Sequence, residues 1–381
     1  MLPRFQKFNS CLPMVEDRKF DLVLQGATGF TGKIAARELV KHAPSNLRWA
    51  VAGRRSDAVQ KLADELGVGA LVADGLDPNA VQALAKQTRV VLSCAGPFSR
   101  YGTPLVEACA QNQTHYADLT GELPWIHSLI QKHHHQCEES GTAIVPASGF
   151  DSAPTDLCVQ EFCSMLQEQQ LPLSLYGFFS LRGGFNGGTL HSGYAMAEDG
   201  HAIGMPTMQI GEVPALKKWF APFLMAPVNE SIVTRSAKLQ SKNIQYQEFM
   251  LCKNKFEAKT IRTALKLITS MFASPTGRRI MKWVGPKPGE GPSERRIQNG
   301  FANLTLIAGS LEKPSATQTW KWAGDPSNLI TVRCLVQTGL ALAAGEHQGG
   351  GVLTPATALG PALLNRLKQT QSVKQSEFMV T

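Results

Sequence analysis

FDLVLQGATGFTGK, residues 20–33, decides the fold: an apolar run enters Gly26, Gly29 and Gly32 and continues into a helix-like segment over 33–41. A strand, a tight glycine turn and a helix N-terminus together present unpaired backbone N–H groups and a positive dipole end to a pyrophosphate. The glycines divide the work between making the turn, letting phosphate approach the backbone, and letting helix and strand pack closely. Gly26, Thr28, Gly29, Phe30, Thr31 and Gly32 are therefore the expected phosphate-binding residues. The next strand, AVAGRR at 50–55, ends in Gly53, Arg54 and Arg55. An acidic residue there would bind the ribose 2′-OH of NAD, whereas two arginines suit a 2′-phosphate, so the expected cofactor is NADP(H). The spacing is GxxGxxG rather than GxGxxG, and a P-loop is the obvious competitor. It fails because Ala27 stands where its first glycine belongs and Ile34 where its Ser/Thr belongs.

Outward from this turn, β-rich runs at 20–25, 47–52, 70–73, 90–94, 115–117 and 143–146 alternate with helix-like segments near 33–41, 58–66, 78–86, 104–111 and 124–140. That alternation predicts an α/β fold with a doubly wound parallel sheet, in which ligands bind beyond the carboxyl ends of the strands. The third strand ends at Asp74, a position for adenine or ribose. The fourth ends in Cys94, Ala95, Gly96 and Pro97, a tight turn that lets the nicotinamide half approach the backbone. The fifth is followed by Asp118, Thr120 and Glu122, the sixth by Ser148, Gly149, Asp151 and Ser152. Turn chemistry alone accounts for any one of these residues. Their convergence on one sheet edge favours a site.

A chain of 381 residues has room for two domains, and no apolar run reaches the roughly 18 residues of a membrane helix. The eight cysteines form no CxxC pair and follow no secretory signal, so they read as buried thiols in a reducing, cytoplasmic setting. The tract His133–His135 has no partner cluster; it reads as a solvated helix face, and no metal is expected. The net charge of +8 resides in residues 253–296, which hold eleven Lys/Arg against three Asp/Glu. Such a face suits an anionic membrane, an acidic carrier protein or a CoA-type substrate. Nucleic acid is set aside, because no binding motif accompanies the charge. Two basic, apolar segments, 216–228 and 261–284, read either as membrane-surface elements or as core-packing helices with a solvated face.

The first nineteen residues read as a loosely ordered leader, with Met14 as an alternative start, and the polar tail 371–381 as disordered. After Asp156 the pattern changes. A strand is expected at 173–181, a flexible glycine turn at 182–189 with His191 beyond it, and a loop at 285–292. Further strands are expected at 297–308 and 329–334, and helices at 335–344 and near 361–368.

The motifs GATGFTG (26–32), AVAGRR (50–55), SCAGPF with the following YG (93–102), DLTGE (118–122), SGFDSAPTDL (148–157), PKPGEGPS (286–293) and GGVLTPATALG (350–360) carry a resemblance. The chain resembles the saccharopine dehydrogenase-like oxidoreductases, and among them the trans-acting enoyl reductases, over roughly 20–368. The resemblance implies a Rossmann-type NADP-binding domain (20–152), an inserted mixed α/β substrate and dimerisation domain (153–329), and a C-terminal segment (330–370) that returns to the first. It implies reduction of a carbon–carbon double bond in an acyl or polyketide thioester, in lipid metabolism and in trans to a synthase. Animal relatives resembling the chain are associated with lipid droplets and membranes. The alternatives are a reductase of an imine or amino-acid-derived substrate, as in saccharopine dehydrogenases, and a weakly catalytic NADP-binding protein docked on lipid. Enoyl reduction needs donors near the thioester oxygen and a proton source. Tyr101, Glu122 and Asp151 are the catalytic candidates, with His191 behind them.

Overall fold

The structure is a computed structural model that describes residues 18–166, 173–184, 186–198, 206–287 and 289–380. Strands β1 (Phe20–Gln25), β2 (Trp49–Gly53), β3 (Gly69–Val72), β4 (Thr88–Ser93), β5 (His115–Asp118) and β6 (Ala143–Val145) alternate with helices. These are α1 (Phe30–His42), α2 (Ser56–Leu66), α3 (Pro78–Gln87), α4 (Phe98–Tyr101), α5 (Thr103–Gln111) and α6 (Leu123–Ser140). The strands pair in parallel in the order β6-β5-β4-β1-β2-β3, the doubly wound sheet expected from the alternation. Helices cover both faces, so the strands are apolar throughout rather than alternating. Leu22 and Leu24 of β1 face Ala35, Ala36 and Leu39 of α1, while Val23 packs with Val81 of α3 and Val106 of α5. The expected leader lies outside the described residues up to Lys19's neighbour Arg18, whose guanidinium bonds the carbonyls of Ala85, Thr88 and Asn112.

Helix α7 (Ala153–Met165) leads to a second, mixed sheet of β7 (Leu173–Arg182), β8 (Gly211–Val213), β9 (Lys218–Pro222), β10 (Ile244–Cys252), β11 (Phe301–Gly309) and β12 (Pro314–Ala323). Its order is β12-β11-β7-β10-β9-β8, with β7 and β10 parallel and the other pairs antiparallel. Among these strands lie α8 (Gly187–Glu198), α9 (Ala226–Leu239), α10 (Lys255–Ala273), α11 (Pro275–Val284) and α12 (Glu294–Gln298). The chain then returns through α13 (Thr331–Ala343), β13 (Gly351–Val352), α14 (Pro355–Ala358) and α15 (Gly360–Gln369). Strand β13 adds to β6, and α13 lies so close to β4 that a Cβ on Gly339 would stand 2.6 Å from the Leu92 side chain.

Several expectations need correction. The glycine stretch at 182–189 is not all turn, since α8 begins at Gly187. Segment 216–228 is no surface helix: it contains β9, whose Phe220, Ala221 and Pro222 are buried between β8 and β10. The strand expected from 297 starts at Phe301, after α12. No strand forms at 329–334; a wide helical turn, Pro326–Ile330, runs into α13. The helix expected at 335–344 forms, and it begins earlier, at Thr331. The tail is not disordered over its described part, because β14 (Val373–Gln375) and β15 (Met379–Val380) pair with the edge of β12. The histidine tract is only partly a solvated face. His133 is buried, and His134 Nδ1 accepts the Val352 N–H at 3.1 Å because β13 docks beside α6; His135 alone is exposed.

Candidate cofactor and substrate site

The strand order runs outward from β1 to β3 on one side and from β4 to β6 on the other. Such a reversal opens the crevice in which doubly wound sheets bind ligands. Gly26 ends β1 at φ +77°, and a Cβ there would stand 3.0 Å from the Ala95 amide nitrogen, so the glycine turn and the end of β4 form one floor. Gly29 is the N-cap of α1 and brings no side chain to the first-turn N–H groups of Phe30, Thr31 and Gly32. Those groups are open to a pyrophosphate. At Gly32 a Cβ would lie 2.2 Å from the Gly26 carbonyl oxygen, so α1 seats on the turn only with glycine there.

Thr28 reaches toward the end of β2, with Oγ1 3.7 Å from the position of a Gly53 Cβ. Arg54 and Arg55 follow, exposed, and neither pairs with an acid among the described residues. Asp74 lies beyond β3, where one carboxylate oxygen accepts the Leu76 N–H at 3.1 Å. The second domain roofs the crevice. Gly291 packs on the Phe30 ring, the Gly187 N–H donates to the Glu290 carbonyl at 3.0 Å, and Ser192 Oγ lies 3.4 Å from where a Gly96 Cβ would be. His191 stands beside Ser192, half-buried and without a polar partner among the described residues.

The carboxylates beyond β5 act as caps. Glu122 accepts the N–H groups of Phe98 at 2.8 Å and Ser99 at 2.9 Å, which holds the turn through Ala95, Gly96 and Pro97 against the start of α6. Both of its oxygens are engaged, so the geometry gives Glu122 a positioning role. Its own N–H donates to Thr120 Oγ1, and the Thr120 N–H donates to Asp118 Oδ1 at 3.0 Å. Asp118 also accepts from the Ala147 N–H and the Tyr116 hydroxyl, and burial pushes its carboxyl up to about 7. Burial, with Asp118 nearby, pushes the Cys94 thiol up to about 12.

Asp151 is different. Its Oδ1 is enclosed with no hydrogen-bond partner, as is Ser152 Oγ, and burial pushes the Asp151 carboxyl up to about 7. The loop that carries both is pinned by the Phe150 N–H, which donates to Thr331 Oγ1 at 3.1 Å, and by the Ser152 N–H, which donates to the Ala147 carbonyl. Tyr101 is not brought to this loop. Its carbonyl oxygen would stand 2.8 Å from a Gly75 Cβ, which sets it beside the loop after β3, while Asp151 follows β6 at the other flank.

The sequence reading missed a buried acid close to Asp151. Glu248 on β10 accepts from the Tyr246 hydroxyl at 2.6 Å, Thr155 Oγ1 at 2.9 Å and Asn229 Nδ2 at 2.6 Å. Burial, with Asp151 as a further like charge, pushes it up to about 8. Tyr246 and Glu248 share a face by the two-residue period of a strand, the one signal the sequence offered.

A glycine cradle that a side chain would fill, an open helix N-terminus and two unpaired arginines fit a dinucleotide with a 2′-phosphate. The molecule is an NADP(H)-binding oxidoreductase of the Rossmann type. Residues 22–145 match the family described as the saccharopine dehydrogenase NADP binding domain. A trans-acting enoyl reductase of Mycobacterium tuberculosis is 32% identical over 406 residues, covering 92% of this chain and 96% of its own length. The Mycobacterium leprae trans-acting enoyl reductase is 31% identical over 407 residues at the same coverage. A second Mycobacterium tuberculosis relative, provisionally named for the same activity, is 34% identical over 401 residues, again covering 92% and 96%. The chain belongs to the saccharopine dehydrogenase-like oxidoreductases, in the group of the trans-acting enoyl reductases. The fold is shared with saccharopine dehydrogenase (L-Glu forming) of Saccharomyces cerevisiae, at TM-score 0.58 and 12% identity over 95% of this chain and 100% of that one. Homospermidine synthase of Legionella pneumophila, solved with NAD, follows at TM-score 0.54 and 10% identity over 95% and 92%.

Proposed function

We propose that the chain reduces the carbon–carbon double bond of an α,β-unsaturated acyl thioester, of fatty acyl or polyketide type, at the expense of NADPH. The observation that carries this reading is the Asp151 carboxyl, half-buried with its Oδ1 enclosed and unpartnered, and raised to about 7, beyond the same sheet edge as the glycine turn. The names of the relatives support it. NADPH, when bound, supplies a hydride to the β-carbon. As that bond forms, the π electrons move to the α-carbon and thioester oxygen, and the α-carbon then takes a proton. Asp151 holds that proton near neutral pH, and the Ser152 hydroxyl is a donor toward the developing oxygen charge. The Asp151 carboxylate left behind recovers its proton from water.

The test is NADPH consumption against a panel of enoyl-CoA thioesters. Turnover with at least one thioester is expected. Asp151→Asn is expected to lower kcat by about a hundredfold or more, the usual contribution of a positioned general acid, with the NADPH Kd unchanged. Turnover only with an oxo-acid plus an amine would replace this reading with imine reduction.

A further inference from the structure

Helix α10 packs one face inward, with Ala258, Leu265, Thr269 and Phe272 against the second sheet and α8. The outward face at the same period carries Phe256 and Leu267, 80% and 63% exposed. A single residue, Ser274, caps both α10 and α11. Of α11 only Gly277 is buried, against the Met271 backbone, so Ile280, Trp283 and Val284 are left in solvent, with Trp283 84% exposed. Single exposed apolar residues are ordinary; here Phe256, Leu267, Ile280, Trp283 and Val284 stand on one helix pair.

The charge around these residues restricts the partner. Lys282 is held by Glu198, and Arg278 donates to the carbonyls of Phe272 and Ala273. Lys259, Lys266 and Arg279 are exposed beside the apolar residues and meet no acid among the described residues. Residues 253–296 carry the whole net charge of the chain. No helix among the described residues is long and apolar enough to cross a membrane. Basic side chains flanking aromatic and aliphatic ones suit a helix that lies in a lipid interface, with cations at the phosphates and apolar groups below them.

We infer that α10 and α11 dock the protein on an anionic lipid surface. This does not depend on which substrate is reduced. The test is co-sedimentation of the full chain with vesicles of phosphatidylcholine alone and of phosphatidylcholine with phosphatidylserine, at low and physiological salt. Binding to the anionic vesicles that weakens with salt is expected. The triple change Lys259→Glu, Lys266→Glu and Arg279→Glu is expected to lower partitioning by roughly a hundredfold or more, the scale set by three basic groups at such a surface. A second variant, Phe256→Ser with Trp283→Ser, should lower it while leaving the NADPH Kd unchanged, which shows that it is folded. No binding to anionic vesicles, or binding that neither variant alters, overturns the inference. Binding to an acyl carrier protein but not to vesicles also overturns it, and assigns the face to that protein.

Discussion

Gly291 stands against the ring of Phe30 so closely that a Cβ on it would lie 2.2 Å from the ring. Phe30 opens α1 at the phosphate turn, and Gly291 belongs to the loop that the second domain lays over it. The two domains therefore meet on the cofactor cradle itself. Gly291→Ala must displace the ring or the loop, an overpacking that costs about 1–3 kcal/mol. We expect it to weaken NADPH binding about tenfold by calorimetric titration, with Phe30→Ala restoring part of the loss in the same chain. An unchanged Kd would show that the loop moves aside freely.

Glu122 is predicted to matter through the turn that it holds. In Glu122→Gln one oxygen is replaced by an NH2 group that cannot accept the N–H of Phe98 or Ser99. Leaving a buried donor unpaired costs about 1–3 kcal/mol. Denaturant unfolding should report that loss, together with weaker NADPH binding and an unchanged pH profile of turnover. A profile that loses one limb would make Glu122 a proton-transfer group after all.

Arg54 and Arg55 are predicted to select the cofactor. Replacing both with Gln should weaken NADPH binding by about tenfold or more, since charge-assisted bonds to phosphate are among the stronger ones, while NADH binding changes little. Equal losses for the two cofactors would remove the 2′-phosphate from this end of β2.

Three acids with raised values predict a pH dependence of stability. Asp118 and Asp151 are raised to about 7 and Glu248 to about 8, each mainly by burial. A carboxyl whose folded value is raised contributes stability that is complete below its unfolded value, about 4, and is lost as pH rises through the folded value. Stability should therefore fall from mildly acid pH to about pH 8. Glu248→Gln keeps the neutral shape, so this variant should lose less stability than the wild type between about pH 4 and about pH 8 in denaturant titrations. Identical slopes would mean that Glu248 is already ionised in the folded protein at the start of that interval, as it is in the unfolded chain.

The cofactor half of the molecule was legible because its chemistry is local. The turn at Gly26, the helix start at Phe30 and the arginines after β2 lie within short stretches whose residues act on their own neighbours. The sheet-edge residues were legible as a group but not in their roles. Glu122 is a cap because Phe98, twenty-four positions earlier, comes beside it, and no local pattern records that. Glu248 gains its environment from Thr155 and Asn229 on α7 and α9. The first turn of α13, read as strand, and β14, read as disordered, take their form from neighbours: the one is largely buried, the other paired to the edge of β12.

In the proposed reaction hydride reaches the β-carbon of an unsaturated acyl thioester, and the α-carbon takes an exchangeable proton. A turnover with NADPH deuterated at the nicotinamide C4, run in ordinary water with a trans-enoyl thioester and read by mass spectrometry and NMR, tests it directly. Deuterium is expected at the β-carbon and protium at the α-carbon of a saturated product. NADPH bound tightly with no deuterium transferred to any enoyl thioester, or deuterium found at a carbon bonded to nitrogen after incubation with an oxo-acid and an amine, would contradict it.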